Sequence, residues 1–154
     1  MRRLRRELGR NDMSTVSVTR LRVRSWRFLP QFLFHTIRSA WQVKKASGAQ
    51  SATLLRQDWR TYWTRTIWTD EAAMKKFMIS GHHRLAMPTL MNICDEASVG
   101  RWNQDDSSPP PWDEVHRRMQ HEGRPSKVNN PTAAQRAFQI PAPPVRPSSE
   151  ITLK

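Results

Sequence analysis

Residues 60–88, RTYWTRTIWTDEAAMKKFMISGHHRLAMP, decide the fold, because they join a strand to a helix across a sharp boundary. The part at 61–68 is rich in β-branched and aromatic side chains, which predicts a strand. Its side chains alternate between two faces, and each face carries a tryptophan, Trp63 on one and Trp68 on the other. Both faces are therefore expected to be covered, one by helices and the other by the sheet of an identical subunit, which predicts a homodimer.

Three further strands are predicted around this one. Residues 16–24 alternate apolar side chains with arginines, a pattern of period two. Residues 50–57 form a hairpin with 61–68, and residues 97–104 supply the fourth strand, directly after a helix that ends at 95–96. With the helices between them, these segments give the order strand, helix, strand, strand, helix, strand.

The helices are predicted from periodicity and from their first residues. Pro30 begins the first helix, whose apolar arc is expected to face the core while His35 lies on the solvent side. The arc consists of Leu33, Phe34, Ile37, Ala40 and Trp41. Thr69 or Asp70 caps the second helix, Gly81 interrupts it, and a separate surface helix is expected at 112–122.

Composition divides the chain into a folded domain and two tails. Residues 1–13 are basic and are expected to be disordered, residues 14–123 form the domain, and residues 124–154 form a disordered tail with six of the eleven prolines. Because the domain does not need the basic start, Met13 is an alternative initiation site.

The formal net charge of +13 is spread over both tails and the domain. No stretch has the length and hydrophobicity of a secretory signal or of a membrane span. The single cysteine, Cys94, excludes an internal disulfide, which suits a reducing cytoplasm. We therefore expect a cytoplasmic protein.

Four segments resemble a known superfamily: VTRLRVRSW at 18–26, YWTRTIWTDEAAMKKF at 62–77, SGHHRLAMP at 80–88 and EGRPSK at 122–127. They are similar to the dimeric α+β barrel superfamily, above all to uncharacterised bacterial proteins related to spheroidene monooxygenase and to antibiotic-biosynthesis monooxygenases. The resemblance implies an α+β fold, a ferredoxin-like β-α-β-β-α-β sandwich that pairs face to face in a homodimer. It also implies a cavity between sheet and helices, and an activity on a hydrophobic or aromatic small molecule, with haem or with no cofactor.

Two adjacent histidines are the first candidate site. His82 and His83 follow the second helix, where a neutral imidazole beside a cavity suits axial ligation of haem iron. His83 is the preferred ligand, and the resemblance implies a haem-binding histidine in this helical region without choosing between the two. The alternative is that both histidines only cap the helix.

Tryptophans suggest a substrate pocket. Trp41 with Trp63 or Trp68 is expected to wall a slot for a flat aromatic molecule, unless these side chains are ordinary core. Arg84 or Arg38 would orient the oxygen atoms of that molecule, and His83 or His35 would act as the base that cofactor-free oxygenation requires. The polar members of this predicted site are therefore His35, Arg38, His82, His83 and Arg84.

Two other classes of protein are disfavoured. Arg20, Arg22 and Arg24 form a stripe that suits phosphates, but no aromatic residues are interleaved with them. We therefore expect these arginines to be solvated at a sheet edge or paired with Asp58, Asp70 and Asp95, and nucleic acid is not an expected partner. No His and Cys spacing matches a metal site. The sequence predicts a monooxygenase-like protein or, as the alternative, a homodimer that binds or scaffolds a small ligand without turnover.

Overall fold

The structure of the chain, a computed structural model, describes residues 13–154. The basic stretch predicted to be disordered therefore lies, except for Met13, outside the described residues. The described part contains six strands and five α-helices, in an order that starts and ends with a strand.

The first four strands build the central sheet, and three helices connect them. The elements are β1 (Ser14–Val23), α1 (Leu29–Lys45), β2 (Ala49–Arg56), β3 (Thr61–Trp68), α2 (Glu71–Met78), α3 (Gly81–Ile93) and β4 (Cys94–Gln104). A short 3₁₀ turn, Trp26–Phe28, leads into α1. The strand order β4-β1-β3-β2 is antiparallel throughout, with helices after the first and third strands. This is the predicted ferredoxin-like arrangement.

The rest of the chain adds two helices and two edge strands. They are α4 (Trp112–Glu122), β5 (Arg124–Pro125), α5 (Ala133–Ala137) and β6 (Glu150–Thr152), which follows a 3₁₀ turn at Pro147–Ser149. β5 pairs with β4 and β6 pairs with β2, so the sheet has six strands in the order β5-β4-β1-β3-β2-β6.

The predicted strand boundaries agree with the observed ones to within two residues, except at the start of β4. The predictions for β3 and α4 match their residue ranges, whereas Cys94–Glu96 belong to β4 and not to the preceding helix. The reason is pairing with β1, in which Val23 lies opposite Cys94 and Arg22 opposite Glu96. This pairing brings opposite charges together across the two strands.

The arginine stripe of β1 is neutralised by these carboxylates. Arg20 lies 2.8 Å from Glu96, and Arg22 lies 3.1 Å from both Asp95 and Glu96. Burial alone would raise the pKa of Glu96, but hydrogen bonds from Arg20 and Thr132 lower it overall. Pairing with Asp95 was predicted. The guanidinium groups of Arg20 and Arg22 are thus held by carboxylates of the same chain.

The two faces of the sheet are covered by different parts of the same chain. Helices α1, α2 and α3 cover the face that carries Trp68, and the opposite face, here called the far face, carries Trp63. Far-face side chains are fully buried against α4 and against Phe138 and Ile140 of the tail. They include Val16, Val18, Leu55, Trp63 and Ile67. The predicted coverage of this face by an identical subunit is therefore wrong, because α4 and the tail cover it.

The prediction of a disordered tail at 124–154 is also wrong. Ile140 is buried in the far-face core, its N–H donates to Gln120 Oε1 at 3.0 Å, and its carbonyl lies 2.7 Å from His116 Nε2 on α4. Further along, β6 pairs with β2. Prolines prevent this segment from forming its own hydrogen-bond ladder, but they do not prevent it from using the edges of an existing sheet and helix. Residues 126–132, 138–146 and 153–154 of the tail lie outside helices and strands.

Helix α1 is rotated relative to the prediction. Phe32 and Val43 are buried, while Leu33, Phe34, Ile37 and Trp41 of the predicted core arc are exposed. Phe32 packs on Tyr62 of β3 with 5.0 Å between ring centroids. The inner side of α1 also carries His35, Thr36 and Ser39, which face a cavity. Polar residues of this helix therefore do not mark its solvent-exposed side.

Candidate active site

A cavity of about 200 Å³ lies between the central sheet and helices α1–α3. Its walls are mostly apolar, and they include Phe32, Val43, Trp68, Met74, Phe77 and Leu90. Polar groups converge on the same space, namely His35, His83, Tyr62, Arg101, Ser17, Thr19, Thr64 and Thr66. A mostly apolar hollow with a few polar side chains is the usual composition of a small-molecule site.

Small side chains on the sheet create the hollow. Ser17 of β1 lies opposite Thr66 of β3, and Thr19 lies opposite Thr64, so four small residues sit side by side beneath the helices. Trp68 closes one side, and its Nε1–H donates to Thr66 Oγ1 at 2.8 Å. Larger residues at these positions would fill the space that helices α1–α3 leave open.

His83 is the side chain in this cavity best suited to accept a proton. Its Nδ1 lies 3.1 Å from the carbonyl oxygen of Met78, which only accepts, so Nδ1 carries the hydrogen and Nε2 is the free acceptor. Burial lowers the pKa of His83, and the charges of Arg101 and His82 lower it further against the opposing effect of the Met78 carbonyl. His83 is thus a neutral imidazole of fixed tautomer at neutral pH.

The position of His83 depends on a clamp between α1 and the α2–α3 junction. The Gln42 side chain donates to the carbonyls of Ser80 at 2.8 Å and Phe77 at 3.2 Å, and its Oε1 accepts from the backbone N–H of His83 at 2.8 Å. Gly81 sits inside this clamp with φ of 58°, where a Cβ would meet the Gln42 amide at 3.1 Å. Glycine is therefore required at this turn.

Arg101 of β4 brings a positive charge to the same cavity. Its Nη2 lies 3.0 Å from Met78 Sδ, so Arg101 and His83 both contact Met78. Its Nε is buried without a hydrogen-bond partner, and within residues 13–154 no carboxylate forms an ion pair with it. Burial lowers the pKa of Arg101, as does the charge of Arg124. A guanidinium in this state favours an anionic group in the cavity.

His35 and His82 form a second polar cluster at the edge of the cavity. Their rings stack with 5.1 Å between centroids, and His35 Nδ1 lies 2.9 Å from His82 Nε2, so one of the two nitrogens donates. Burial lowers the pKa of His35, and the charge of His82 adds to the effect. His35 lines the cavity, contrary to the solvent position predicted from the helical wheel.

The predicted site residues divide into those the cavity brings together and those it does not. His35, His83 and Trp68 line the cavity, and His82 reaches it through His35. Trp63 lies on the far face, where its Nε1–H donates to Gln57 at 2.9 Å, so it cannot belong to the predicted slot. The remaining candidates, Trp41, Arg38 and Arg84, are exposed on the outside of the helices and do not line the cavity.

Sequence reasoning missed Arg101. Its only signal is parity, because it lies two residues from Val99 on β4, and both side chains share the face that lines the cavity. Gly100 precedes Arg101, and the residues around it do not alternate between apolar and polar. This signal was therefore too weak to distinguish Arg101 from the other arginines.

The residues present do not fit haem. The free Nε2 of His83 is a suitable axial ligand, but about 200 Å³ is below the range of roughly 300–1,000 Å³ typical of ligand pockets and is too small for a tetrapyrrole. Among the described residues there is also no group of three or more potential metal-binding side chains. Burial raises the pKa of the Cys94 thiol to about 12, so this thiol stays protonated and is not available as a ligand.

Comparison with solved structures shows the fold. A structure titled antibiotic biosynthesis monooxygenase matches with a TM-score of 0.53 at 12% identity, covering 62% of this chain and 99% of that one. A conserved protein from Methanosarcina mazei Go1 gives 0.53 at 14% identity, covering 60% and 93%. A Bacteroides thetaiotaomicron protein described as a possible oxidoreductase gives 0.51 at 11% identity, covering 61% and 99%.

The chain thus shares the α+β fold of these structures, including that of the antibiotic biosynthesis monooxygenase, as the sequence resemblance predicted. Identities this low show the fold alone and leave the activity to be argued from the site. No protein-family model matches the chain, and no curated protein sequence matches it. The expected relation to spheroidene monooxygenase stays a prediction. In the described residues, no helix has the length and hydrophobicity needed to span a membrane.

Proposed function

We propose that this protein is a monooxygenase-like enzyme that acts on a compact aromatic molecule bound in the cavity between the sheet and α1–α3. The observation that carries the proposal is the convergence of His83 and Arg101 at Met78. One is a neutral base of fixed tautomer, and the other is a cation without a carboxylate partner among residues 13–154. Together they suit removal of a proton and stabilisation of the resulting anion.

The chemistry follows from these two roles. His83 Nε2 takes a proton from an activated CH₂ group of the substrate, and Arg101 holds the negative charge delocalised onto a substrate oxygen. The carbanion is oxidised by O₂ in a reaction that converts CH₂ and O₂ into C=O and water. The carbon loses four electrons, O₂ gains four, and both hydrogens leave in the water molecule.

The cavity restricts the class of substrate. A volume of about 200 Å³ suits a small ring system, and the aromatic walls Phe32, Trp68 and Phe77 suit a flat one.

A second candidate is binding of a small ligand without turnover. It is favoured by the mostly apolar walls around Arg101, since this combination also suits storage or transport of an aromatic anion. In this case His83 would only help to fill and shape the cavity.

Oxygen uptake separates the two candidates. Anthrone, which has an activated CH₂ between aromatic rings, serves as the probe. The wild-type protein is expected to consume O₂ and release anthraquinone whose new oxygen comes from labelled O₂. His83→Ala should lower kcat by about 10²–10⁴-fold, the range for loss of a general base. Arg101→Met should also lower kcat, since it removes the charge at similar size.

His121→Ala is the matched control, because His121 is an exposed histidine on α4, away from the cavity. It should leave the rate unchanged. Saturable anthrone binding without oxygen uptake would reject the monooxygenase and support the binding protein. Full activity in His83→Ala would show that another group is the base.

A further inference from the structure

The outer side of α1 carries an apolar surface that nothing in the described chain covers. Four of its side chains, here called the α1 stripe, have large exposed fractions: Leu33 39%, Phe34 56%, Ile37 57% and Trp41 62%. Such exposure is unusual for large apolar residues that lie together, and it indicates an interaction site.

The α1 stripe is continuous and has neighbours of the same kind. Leu33, Ile37 and Trp41 are spaced by four residues, so they lie along one side of the helix over about 12 Å. Trp26 is 71% exposed in the turn before α1. Leu85 is 73% exposed on α3, which contacts α1 through the edge-on packing of Phe34 and His82. The surface therefore extends over both helices.

Basic side chains border this surface without acidic ones. Arg38, Lys44 and Lys45 lie on α1 and Arg84 on α3, all exposed, and neither helix contains Asp or Glu. The ammonium group of Lys45 lies 5.8 Å from the centre of the Trp41 ring. An indole ring next to a lysine whose ammonium group lies in water is a common pair at the boundary between an apolar and an aqueous phase.

We propose that the α1 stripe docks the protein on an anionic lipid surface. An amphipathic helix with aromatic and aliphatic residues on one side and only positive charges around them has the properties of an interfacial helix. The apolar side chains enter the headgroup region, and the basic ones contact the lipid phosphates. A net charge of +13 adds long-range attraction to such a surface.

A second copy of the chain fits this surface poorly. A two-fold interface through α1 would bring the basic border of one copy, Arg38, Lys44 and Lys45, close to the basic border of the other. With no carboxylate on either helix, these charges would repel each other without compensation. The lipid surface satisfies both the apolar stripe and its basic border.

Docking of the α1 stripe on lipid does not depend on the proposed reaction. It does affect how a ligand would reach the cavity. His35, Thr36 and Ser39 on the inner side of α1 line the cavity, so the same helix separates the cavity from the proposed lipid surface. An apolar ligand dissolved in the lipid would reach the cavity with little exposure to water.

Vesicle sedimentation tests the proposal with the full chain. Phosphatidylcholine vesicles that contain phosphatidylglycerol are compared with vesicles of phosphatidylcholine alone. The wild-type protein should bind the anionic vesicles preferentially. Ile37→Ser combined with Trp41→Ser should weaken this binding by about tenfold or more, because two inserted side chains are lost. Trp59→Ser removes an exposed tryptophan from the β2–β3 hairpin and should have little effect.

A matched pair of charge variants separates docking from general adsorption. Arg38→Gln with Lys45→Gln should weaken binding much more than Arg117→Gln with Arg136→Gln, which removes the same charge from α4 and α5. Equal losses in the two pairs would reject α1 as the docking surface. No preference for anionic vesicles would also overturn the proposal. A concentration-dependent dimer that Ile37→Ser and Trp41→Ser abolish would assign the surface to a second copy instead.

Discussion

At the scale of single residues, His83 is the side chain whose protonation matters most. Burial lowers its pKa below the ordinary value of 6.5, so the folded protein resists protonation that the unfolded chain accepts. Between the folded pKa and 6.5 the unfolded state binds more protons, and the free energy of unfolding falls as the pH decreases through this window. Above 6.5 both states are neutral and the contribution is constant.

This sign gives the first prediction. The His83 ring should titrate below 6.5 in the folded protein, with the hydrogen on Nδ1, as measured by nitrogen-15 NMR. Urea unfolding between pH 5 and 6.5 should show a weaker dependence on pH for His83→Ala than for the wild-type chain. A His83 that titrates above 6.5 would contradict the effect of burial, and one that carries its hydrogen on Nε2 would contradict the contact with Met78.

Gly81 and Gly100 provide the second prediction at this scale. Gly81→Ala should lower the free energy of unfolding by about 1–2 kcal/mol, because φ of 58° is strained for alanine and its Cβ meets Gln42. Gly100→Ala is the control, because its Cβ would meet Met119 Sδ at 3.6 Å, an ordinary contact. Urea unfolding should find the control unchanged or slightly more stable. Equal losses in both variants would contradict the role of the turn.

The sequence identified some of the cavity residues and missed others for definite reasons. His83 follows from its doubled histidine motif, and Trp68 follows from strand parity. Parity also places Trp63 on the opposite face, so these two tryptophans cannot share one slot. Arg101 requires knowledge that Met78 and β4 meet across the cavity, which depends on tertiary contacts between distant segments.

At the scale of secondary-structure elements, α1 shows where periodicity is insufficient. The hydrophobic arc of a helix normally faces the core, but it does not distinguish a core from a surface that binds something else. In α1 the inner side lines a cavity and carries polar residues, while the apolar arc is exposed. The existence and the start of the helix followed from sequence, whereas its rotation did not.

Two phenylalanines test that rotation. Phe32→Ala should lower the free energy of unfolding by about 3–5 kcal/mol, because Phe32 is 2% exposed and packs on Tyr62. Phe34→Ala should change it by no more than about 0.5 kcal/mol, because Phe34 is largely exposed. Urea unfolding of the two variants measures the difference. A larger loss for Phe34 than for Phe32 would restore the helical orientation predicted from the apolar arc.

At the scale of the whole molecule, the chain is longer than the solved structures that share its fold. Those structures are matched over 93–99% of their length, whereas only 60–62% of this chain is matched. The central strands and helices, β1 to β4, already account for a segment of that size. We infer that α4 and the tail are additions, and they cover the far face with Trp112, Val115, Met119 and Ile140.

This coverage makes the oligomeric state testable. If α4 and the tail replace a partner sheet, light scattering after gel filtration should give a monomer of 18.1 kDa at micromolar concentration. Ile140→Asp should release the tail, because it places a charge in the far-face core, and should lower the free energy of unfolding by several kcal/mol. The uncovered far face would then associate, and the scattering mass should rise with concentration.

Val145→Asp is the matched control, because Val145 lies in the same tail but is 53% exposed. It should remain monomeric and change stability by no more than about 0.5 kcal/mol. If the wild-type protein is a dimer and Ile140→Asp does not change its stability, the tail does not hold the far face and a second subunit covers it. If the wild-type protein is a monomer, and Ile140→Asp loses stability whereas Val145→Asp does not, the chain replaces the partner sheet with its own residues.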